Sequence, residues 1–520
     1  MAGTARIPNT YYTVSKGDLA AIFCFQTAIE IAYYFLGVRI NIFPLFDYVQ
    51  IVDPLYLQTD LLRSLLFLHI QPPGFNLFLG LVLKLFPHLY PMAFQGIFFV
   101  LAILLLFVLF ALQVRFGVSR HVAFLVTGLL GASPDFILYE HHLFYTFGIA
   151  SLWLLSVLEL HRFLRSRRLK NLVVFYLILA VLAWTRSLIH LTYCIAVSVY
   201  VLWITRPTSK GRLAATLIML AVVMAPYVKN WVVFGKFTQS TLFPGNIAKV
   251  TTVPLGQATR DRLYEEGRIS RYSWHLGLSP PSCSDADDCL AASDGSLWTN
   301  PDFLNPYRRF KDVPILFKTF RPTVFNQAAI PNINHAALIG MHDIILKDDI
   351  YLATHYPGTV LLSWFYSSIY YSLAAYDQSY LSIQNKAAAR PAISVWDRLY
   401  LKTPAPFLDK VATWASEHFD YHPIKKPDHL FLTLLIGLPL LFLFGIGLAW
   451  RMPKCPDRHA LWYLTFSIGF ASIIGNTLDC GENNRFRFMI DPMYMFLFGL
   501  ALQRLLDWAA VHFTWVTKKR

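Results

Sequence analysis

The sequence predicts an all-α polytopic membrane protein with about ten transmembrane helices and a large outer-face loop domain. Three observations carry that prediction. Hydrophobic residues make up 56% of the 520 positions and charged residues only 15%, against about a quarter charged in an ordinary globular protein. The chain holds many apolar runs of roughly 17 to 23 residues, long enough to cross a ~30 Å hydrocarbon layer as helices. The 45 Lys and Arg residues fall in short clusters between those runs, the pattern of cytoplasmic loops under the positive-inside rule. A mean hydropathy of +0.46 is too apolar for a water-soluble core and shell. Disorder, collagen, repeat solenoids and soluble nucleic-acid binders are excluded together. The net charge of +14 therefore belongs to membrane topology and implies no nucleic-acid partner.

The first span is read at 19–38, with Arg6 and Lys16 ahead of it. It is too long for the apolar core of a cleavable signal and lacks a small-residue cleavage site, so this helix is expected to be its own targeting signal. Further spans are read at 92–114, 121–135, 143–163, 171–186, 188–205, 213–230, 428–450, 459–477 and 487–508. The basic clusters are Arg115 with Arg120, Arg162 to Lys170, Arg206 to Arg212, Arg451 to Arg458, and Lys518 to Arg520. With ten crossings, every cluster and both termini are cytoplasmic. Residues 73–87 are apolar but short, bracketed by Pro72, Pro73 and Pro87. An ordinary crossing there would invert everything downstream, so the segment is read as re-entrant or interfacial, packed against protein on the outer side.

This layout divides the chain into an N-terminal transmembrane module at 1–230, an outer-face loop domain at 231–427 and C-terminal transmembrane helices at 428–520. The module at 1–230 includes the first outer loop, 39–72. Within the loop domain, the apolar aromatic stretch 357–375 is either a membrane-surface helix or half of a further pair of spans. Cys24, Cys194, Cys455 and Cys480 read as small packed residues. Cys283 and Cys289 are placed for a small disulfide in an oxidising compartment. No four-cysteine zinc spacing occurs.

Buried charge is expensive in a membrane, so polar groups at the outer helix ends are informative. The first outer loop carries Asp47, Asp53 and Asp60, then His69, Gln71 and two prolines. The next outer turn carries Asp135, Glu140, His141 and His142, and after it come Arg186 and His190. The last outer turn holds Asp479, Glu482, Asn483, Arg485 and Arg487, followed by Asp491. An acid in such a group can deprotonate an acceptor hydroxyl. Arginine can hold a phosphate through two parallel hydrogen bonds, and His adds charge or a hydrogen bond. A phosphate-linked lipid substrate needs both, plus an apolar groove for its tail.

Plainer readings stand beside these. Asp53-Pro54 is also a helix start, His69 with its prolines also shapes a turn, and Arg485 and Arg487 also suit interfacial anchors. Glu30 lies deep in the first span and needs a partner or a cavity. Asp285-Ala286-Asp287 spells a metal-nucleotide motif but lies in a polar loop, away from any strand end. His141-His142 lacks the spacing of a helical zinc site. Glu159 and His161 look structural. No Gly-rich phosphate loop is present.

Asp53-Pro54, Leu68-His69-Ile70-Gln71-Pro72-Pro73-Gly74-Phe75-Asn76 and the run Glu482 to Phe488 together resemble the C-type membrane glycosyltransferases. The likeness is to the protein O-mannosyltransferase and aminoarabinose transferase type, nearest its uncharacterised bacterial-type branch. It covers the architecture of the first 250 residues or so and the last 60 or so, through GENNRFRFMIDP. The resemblance implies inverting transfer of a sugar from a polyprenyl-phosphate-linked donor to a glycan, lipid or protein acceptor at the outer membrane face. It also implies Asp53 as catalytic base, with Asp135 or Glu140 as a second acid. Arg485 and Arg487 match the late basic pair near the donor phosphate, joined by His69, Gln71, Arg186 and His190, with Glu482 and Asn483 in support. This sequence departs from the family where Asp-Pro replaces an acidic pair and Gln71 replaces a lysine. No metal ligand is assigned, and a divalent metal requirement stays open.

A transporter or flippase of lipid-linked or anionic substrates is the alternative. It predicts charges along a mid-membrane path and two similar halves, whereas the chain shows one mid-span acid, Glu30, and no repeat. A membrane acyltransferase needs a buried catalytic histidine, for which His190 is the nearest candidate, and leaves the outer acids unexplained. The chain has no Asn-x-Ser/Thr sequon, which favours a bacterial inner membrane over the endoplasmic reticulum.

Overall fold

The computed structural model describes residues 14–205, 209–275, 296–323 and 330–518. Arg6, Arg206, Cys283, Asp285, Asp287, Cys289, Lys519 and Arg520 lie outside the described residues. The described chain is nearly all helical, and its one sheet is the antiparallel pair Lys402–Pro404 and His429–Phe431.

Among the described residues, seven helices are long and apolar enough to cross a membrane: Lys16–Leu36, Tyr90–Arg115, Tyr145–Ser166, Lys210–Phe234, Leu432–Arg451, Pro456–Leu478 and Asp491–His512. The protein is therefore a multi-pass helical membrane protein. Each of the ten sequence segments read as spans coincides with a helix, but three fall short of a full straight crossing. Leu169–Thr185 and Leu191–Thr205 have 17 and 15 residues. The third is a pair, Arg120–Ala132 and Pro134–Glu140, bent by 56° at its break. Pro134 brings no N–H to the break, and Ser133 caps the new helix by accepting from the Phe136 N–H at 3.2 Å. The Gly74–Leu85 helix has 12 residues, a length of about 18 Å, well short of a hydrocarbon layer of about 30 Å.

Local signals fix the helix ends. Ser15 and Asp18 form a reciprocal capping box at the start of the first helix, with bonds of 2.7 and 3.1 Å. Gly37 ends the same helix at φ 102°, a conformation that favours glycine. At Gly74 the reason is contact: a Cβ there would lie 2.7 Å from the Trp184 carbonyl oxygen.

The Tyr145–Ser166 helix is the centre of the bundle, buried along most of its length against the 90–115, 169–185 and 456–478 helices. Its two ends differ chemically. At the Ser166 end, Asp457 meets Arg165 and His161, each at 2.7 Å, and Glu159 pairs with Arg162. Arg120 reaches Asp18 nearby at 3.9 Å. Among the described residues, the basic groups around Arg115, Arg162, Arg212 and Arg458 gather at this end. The Tyr145 end, about 30 Å away, holds the loops rich in acids, arginines and aromatics.

The segment expected to be a loop domain is a chain of short helices, the longest being Ala337–His355 and Pro357–Tyr371. Its buried Leu316, Ala336, Tyr366 and Tyr376 belong to the same contiguous apolar core as Trp153, Phe175 and Leu464 of the bundle. Among the described residues, two small clusters lie apart from that core. The 357–371 helix docks on the bundle, with Ser367 donating to the Asp479 carbonyl at 3.0 Å and the Tyr371 hydroxyl 2.6 Å from that of Ser472.

Candidate functional site

Arg485 sits in the six-residue helix Asn483–Phe488, between the last two long helices. Its side chain is buried and pairs with Glu482, while Nη1 donates to the Tyr48 hydroxyl at 3.2 Å. The guanidinium lies 5.3, 5.8, 5.4 and 5.3 Å from the ring centroids of Phe144, Tyr145, Tyr380 and Phe486. Arg186, placed by the end of the 169–185 helix, approaches from the other side. It donates to the Tyr145 hydroxyl and stands over the Tyr145 and Phe486 rings at 5.0 and 5.2 Å. Lys249 closes the cluster through Asp479 at 3.1 Å.

Three cations, Arg186, Arg485 and Lys249, thus share two carboxylates, Glu482 and Asp479. Burial opposes the charge on Glu482, but Arg485, Lys249 and Arg186 overcome it and hold the carboxyl below its usual range. Burial likewise opposes the Arg485 charge, and Glu482 outweighs it, holding the guanidinium firmly charged. The Nε atoms of both Arg186 and Arg485 are buried without an acceptor. A positive balance with unused N–H donors, set among aromatic rings, has the chemistry to hold an anion with several oxygens.

An apolar cavity of about 450 Å³ opens beside this cluster, lined by Phe75, Phe98, Gly148, Leu152, Trp184 and Tyr145 among others. Leu177 and Val181 on its wall are exposed, at 63% and 42%. That surface is apolar. Tyr145 belongs to both features: its ring walls the cavity and its hydroxyl touches Arg186.

The remaining sequence candidates lie in separate networks. Arg487, two residues from Arg485, holds structure: it donates to Asp491 at 3.0 Å and to the Tyr371 and Leu373 carbonyls at 3.1 and 2.6 Å. Asp135 is in the same network, accepting from the Tyr376 N–H at 2.5 Å and the Tyr400 hydroxyl at 3.4 Å. Glu140 meets Glu30 and His141 instead. His69 uses both ring nitrogens, 2.6 Å from the Thr241 hydroxyl and 3.0 Å from the Asn334 carbonyl, and burial pushes its pKa down to about 3. Neutral and fully engaged, it pins the loop. Gln71 is buried with its Oε1 unpartnered, and His190 contacts Thr192 at 3.0 Å. Asn483 shapes the last turn, donating to the Gly475 and Asp479 carbonyls, both at 3.0 Å.

Asp53 caps the short helix Pro54–Thr59 through the Leu55 N–H at 2.8 Å. It also accepts from the Thr323 N–H and hydroxyl at 2.9 and 2.8 Å, with Arg321 at 3.7 Å. Arg321 donates in turn to the Tyr48 and Leu45 carbonyls at 3.3 and 3.1 Å, tying Asp53 to the loop that meets Arg485. Asp47, on that loop, is exposed and accepts no hydrogen bond among the described residues. Sequence reasoning missed Tyr48, Tyr145 and Lys249. Tyr145 stands between Phe144 and Thr146 and Lys249 between Ala248 and Val250, so no local charge marked them, and aromatics are common in a chain that is 16% aromatic.

Fold and site together define a multi-pass helical membrane protein with a buried cluster of basic and aromatic side chains at one end of its bundle. No protein-family model and no curated protein matches the chain.

Proposed function

We propose that this protein is a C-type membrane glycosyltransferase that moves a sugar from a polyprenyl-phosphate donor to an acceptor hydroxyl. The observation that carries the reading is the union of an open apolar cavity with a cationic cluster at Tyr145. An isoprenoid tail fits the first and its phosphate the second. The ten-span layout, with the pocket on the outer face, belongs to the same proposal, as does a bacterial inner membrane.

In the reaction, Asp53 accepts the proton of the acceptor hydroxyl, whose oxygen bonds to the sugar C1 as the C1–O bond to phosphate breaks. The donor phosphodiester carries one negative charge and the released phosphate monoester up to two. Charge therefore grows where Arg186 and Arg485 stand, and preorganised donors that meet developing charge lower the barrier. The Thr323 hydroxyl, 2.8 Å from Asp53, takes the place an acceptor hydroxyl would need, so acceptor binding requires its displacement. Asp47 is the second carboxylate in reach of this loop. The test is transfer from radiolabelled polyprenyl-phosphate sugars in membranes containing wild type, Asp53→Asn or Arg485→Gln. Transfer equal in all three would refute the proposal.

A further inference from the structure

The geometry points to a divalent-cation site formed by Glu30, Glu140 and His141 inside the bundle. One donor atom from each lies within 4.8 Å of the other two, the width across a single ion with bonds of about 2.0 to 2.4 Å. Glu30 comes from the Lys16–Leu36 helix, and Glu140 and His141 from the end of the bent segment that follows Pro134.

The hydrogen-bond inventory is what favours an ion. His141 Nδ1 donates to the Ile137 carbonyl at 3.0 Å, which leaves Nε2 facing Glu30 Oε2 at 3.5 Å. Glu140 is 3% exposed, and its Oε2 is buried with no donor. Gln26, fully buried, gives its Nε2 to Glu30 Oε1 at 3.0 Å and leaves its own Oε1 without a donor. Acceptors thus converge on one point where, among the described residues, the Gln26 amide supplies a single hydrogen-bond donor. Buried acceptors without donors are costly, and two facing carboxylates in a membrane helix more so. One cation satisfies both carboxylates and the ring nitrogen. A ring nitrogen tied to a backbone carbonyl is also the usual outer support of a metal-bound imidazole.

Two carboxylates and an imidazole suit Mn²⁺ or Zn²⁺ rather than a thiolate-seeking ion. The ion would fasten the first helix to the segment ending at His141, whose carbonyl accepts from the Asn41 N–H at 2.7 Å. It thereby holds the start of the loop that brings Tyr48 to Arg485. It touches no group of the cationic pocket, so its role is positioning.

The experiment is metal analysis of the full-length protein in detergent, stripped with EDTA and then dialysed against Mn²⁺ or Zn²⁺, with Tm measured in each state. Wild type is expected to retain about one equivalent of ion and to gain thermal stability on its return. Glu30→Gln and Glu140→Gln should lose both. Uptake by wild type below roughly a tenth of an equivalent would overturn the site and leave a proton shared between the two carboxylates. Equal uptake by the variants would overturn it too, by placing the ion elsewhere. Should both variants fail to fold, the wild-type uptake and Tm decide alone.

Discussion

Arg186 and Arg485 stand over the same two rings, at 5.0 and 5.8 Å from the centroid of Tyr145 and at 5.2 and 5.3 Å from that of Phe486. Two guanidinia brought this close inside a protein repel unless something negative is shared between them. Glu482 serves one side, and both Nε atoms remain free of acceptors. A phosphate would complete the arrangement.

Replacing either arginine by glutamine removes one charge-assisted contact. Affinity for a polyprenyl phosphate, read by competition against labelled donor, is expected to fall about 10- to 100-fold for each variant. Unchanged affinity in Arg485→Gln would exclude the pocket as the phosphate site.

Arg487→Gln should behave differently. It leaves Asp491 and two buried carbonyls short of donors, a loss of about 3 to 5 kcal/mol when a buried pair is broken. The expected result is a sharp fall in folded yield and Tm. A well-folded variant defective only in donor binding would contradict the structural role.

Asp53→Asn should reduce transfer about 100- to 10,000-fold, the range for loss of a general base. Thr323→Val keeps the backbone bond to Asp53 but removes the competing hydroxyl, so KM for the acceptor should drop with kcat maintained. If Asp53→Asn stays active and Asp47→Asn does not, the base is Asp47.

The cavity can be tested by filling it. A Cβ added at Gly148 meets nothing nearer than the Leu101 side chain at 3.9 Å. Gly148→Leu should therefore fold normally, raise KM for long-chain donors and spare short-chain ones. Equal KM for both chain lengths would show that the tail lies elsewhere.

His429 bonds to Asp377 at 2.7 Å, and chiefly that contact raises its pKa above the ordinary histidine range, against partial burial. A raised basic group stabilises the fold fully below its unfolded pKa of about 6.5 and loses that contribution as pH climbs through the higher folded value. Tm should thus decline between pH 6 and pH 8, and the decline should be shallower in His429→Gln. Parallel profiles would remove the assignment.

The helices were legible because a run of apolar residues has few alternatives in a membrane. The break at Ser133-Pro134 was not, since the span was read straight through to Asp135 and periodicity continues across it. At the site, Arg186, Arg485 and Glu482 announced themselves as charges at apolar ends. Tyr48 did not: it meets Arg485 across 437 positions of sequence, a contact no local pattern encodes. The same blindness applied to the division of labour between Arg485 and Arg487, which chemistry alone makes equivalent. Glu30 was visible as a residue in need of partners, and only the fold could supply Gln26, Glu140 and His141.

The six residues from Asn483 to Phe488 write two messages in alternate letters. Successive side chains on a helix turn by about 100°, so positions two apart look in nearly opposite directions, and Arg485 reads the pocket while Arg487 grips the frame. Inserting or deleting one residue upstream would turn both side chains by about 100° and take each arginine away from its partners. Such a change would cost the bundle its clamp at the moment it cost the pocket its charge, so neither message can drift without garbling the other. New specificity is therefore easier to reach through Gly148 and its neighbours, which carry one message each.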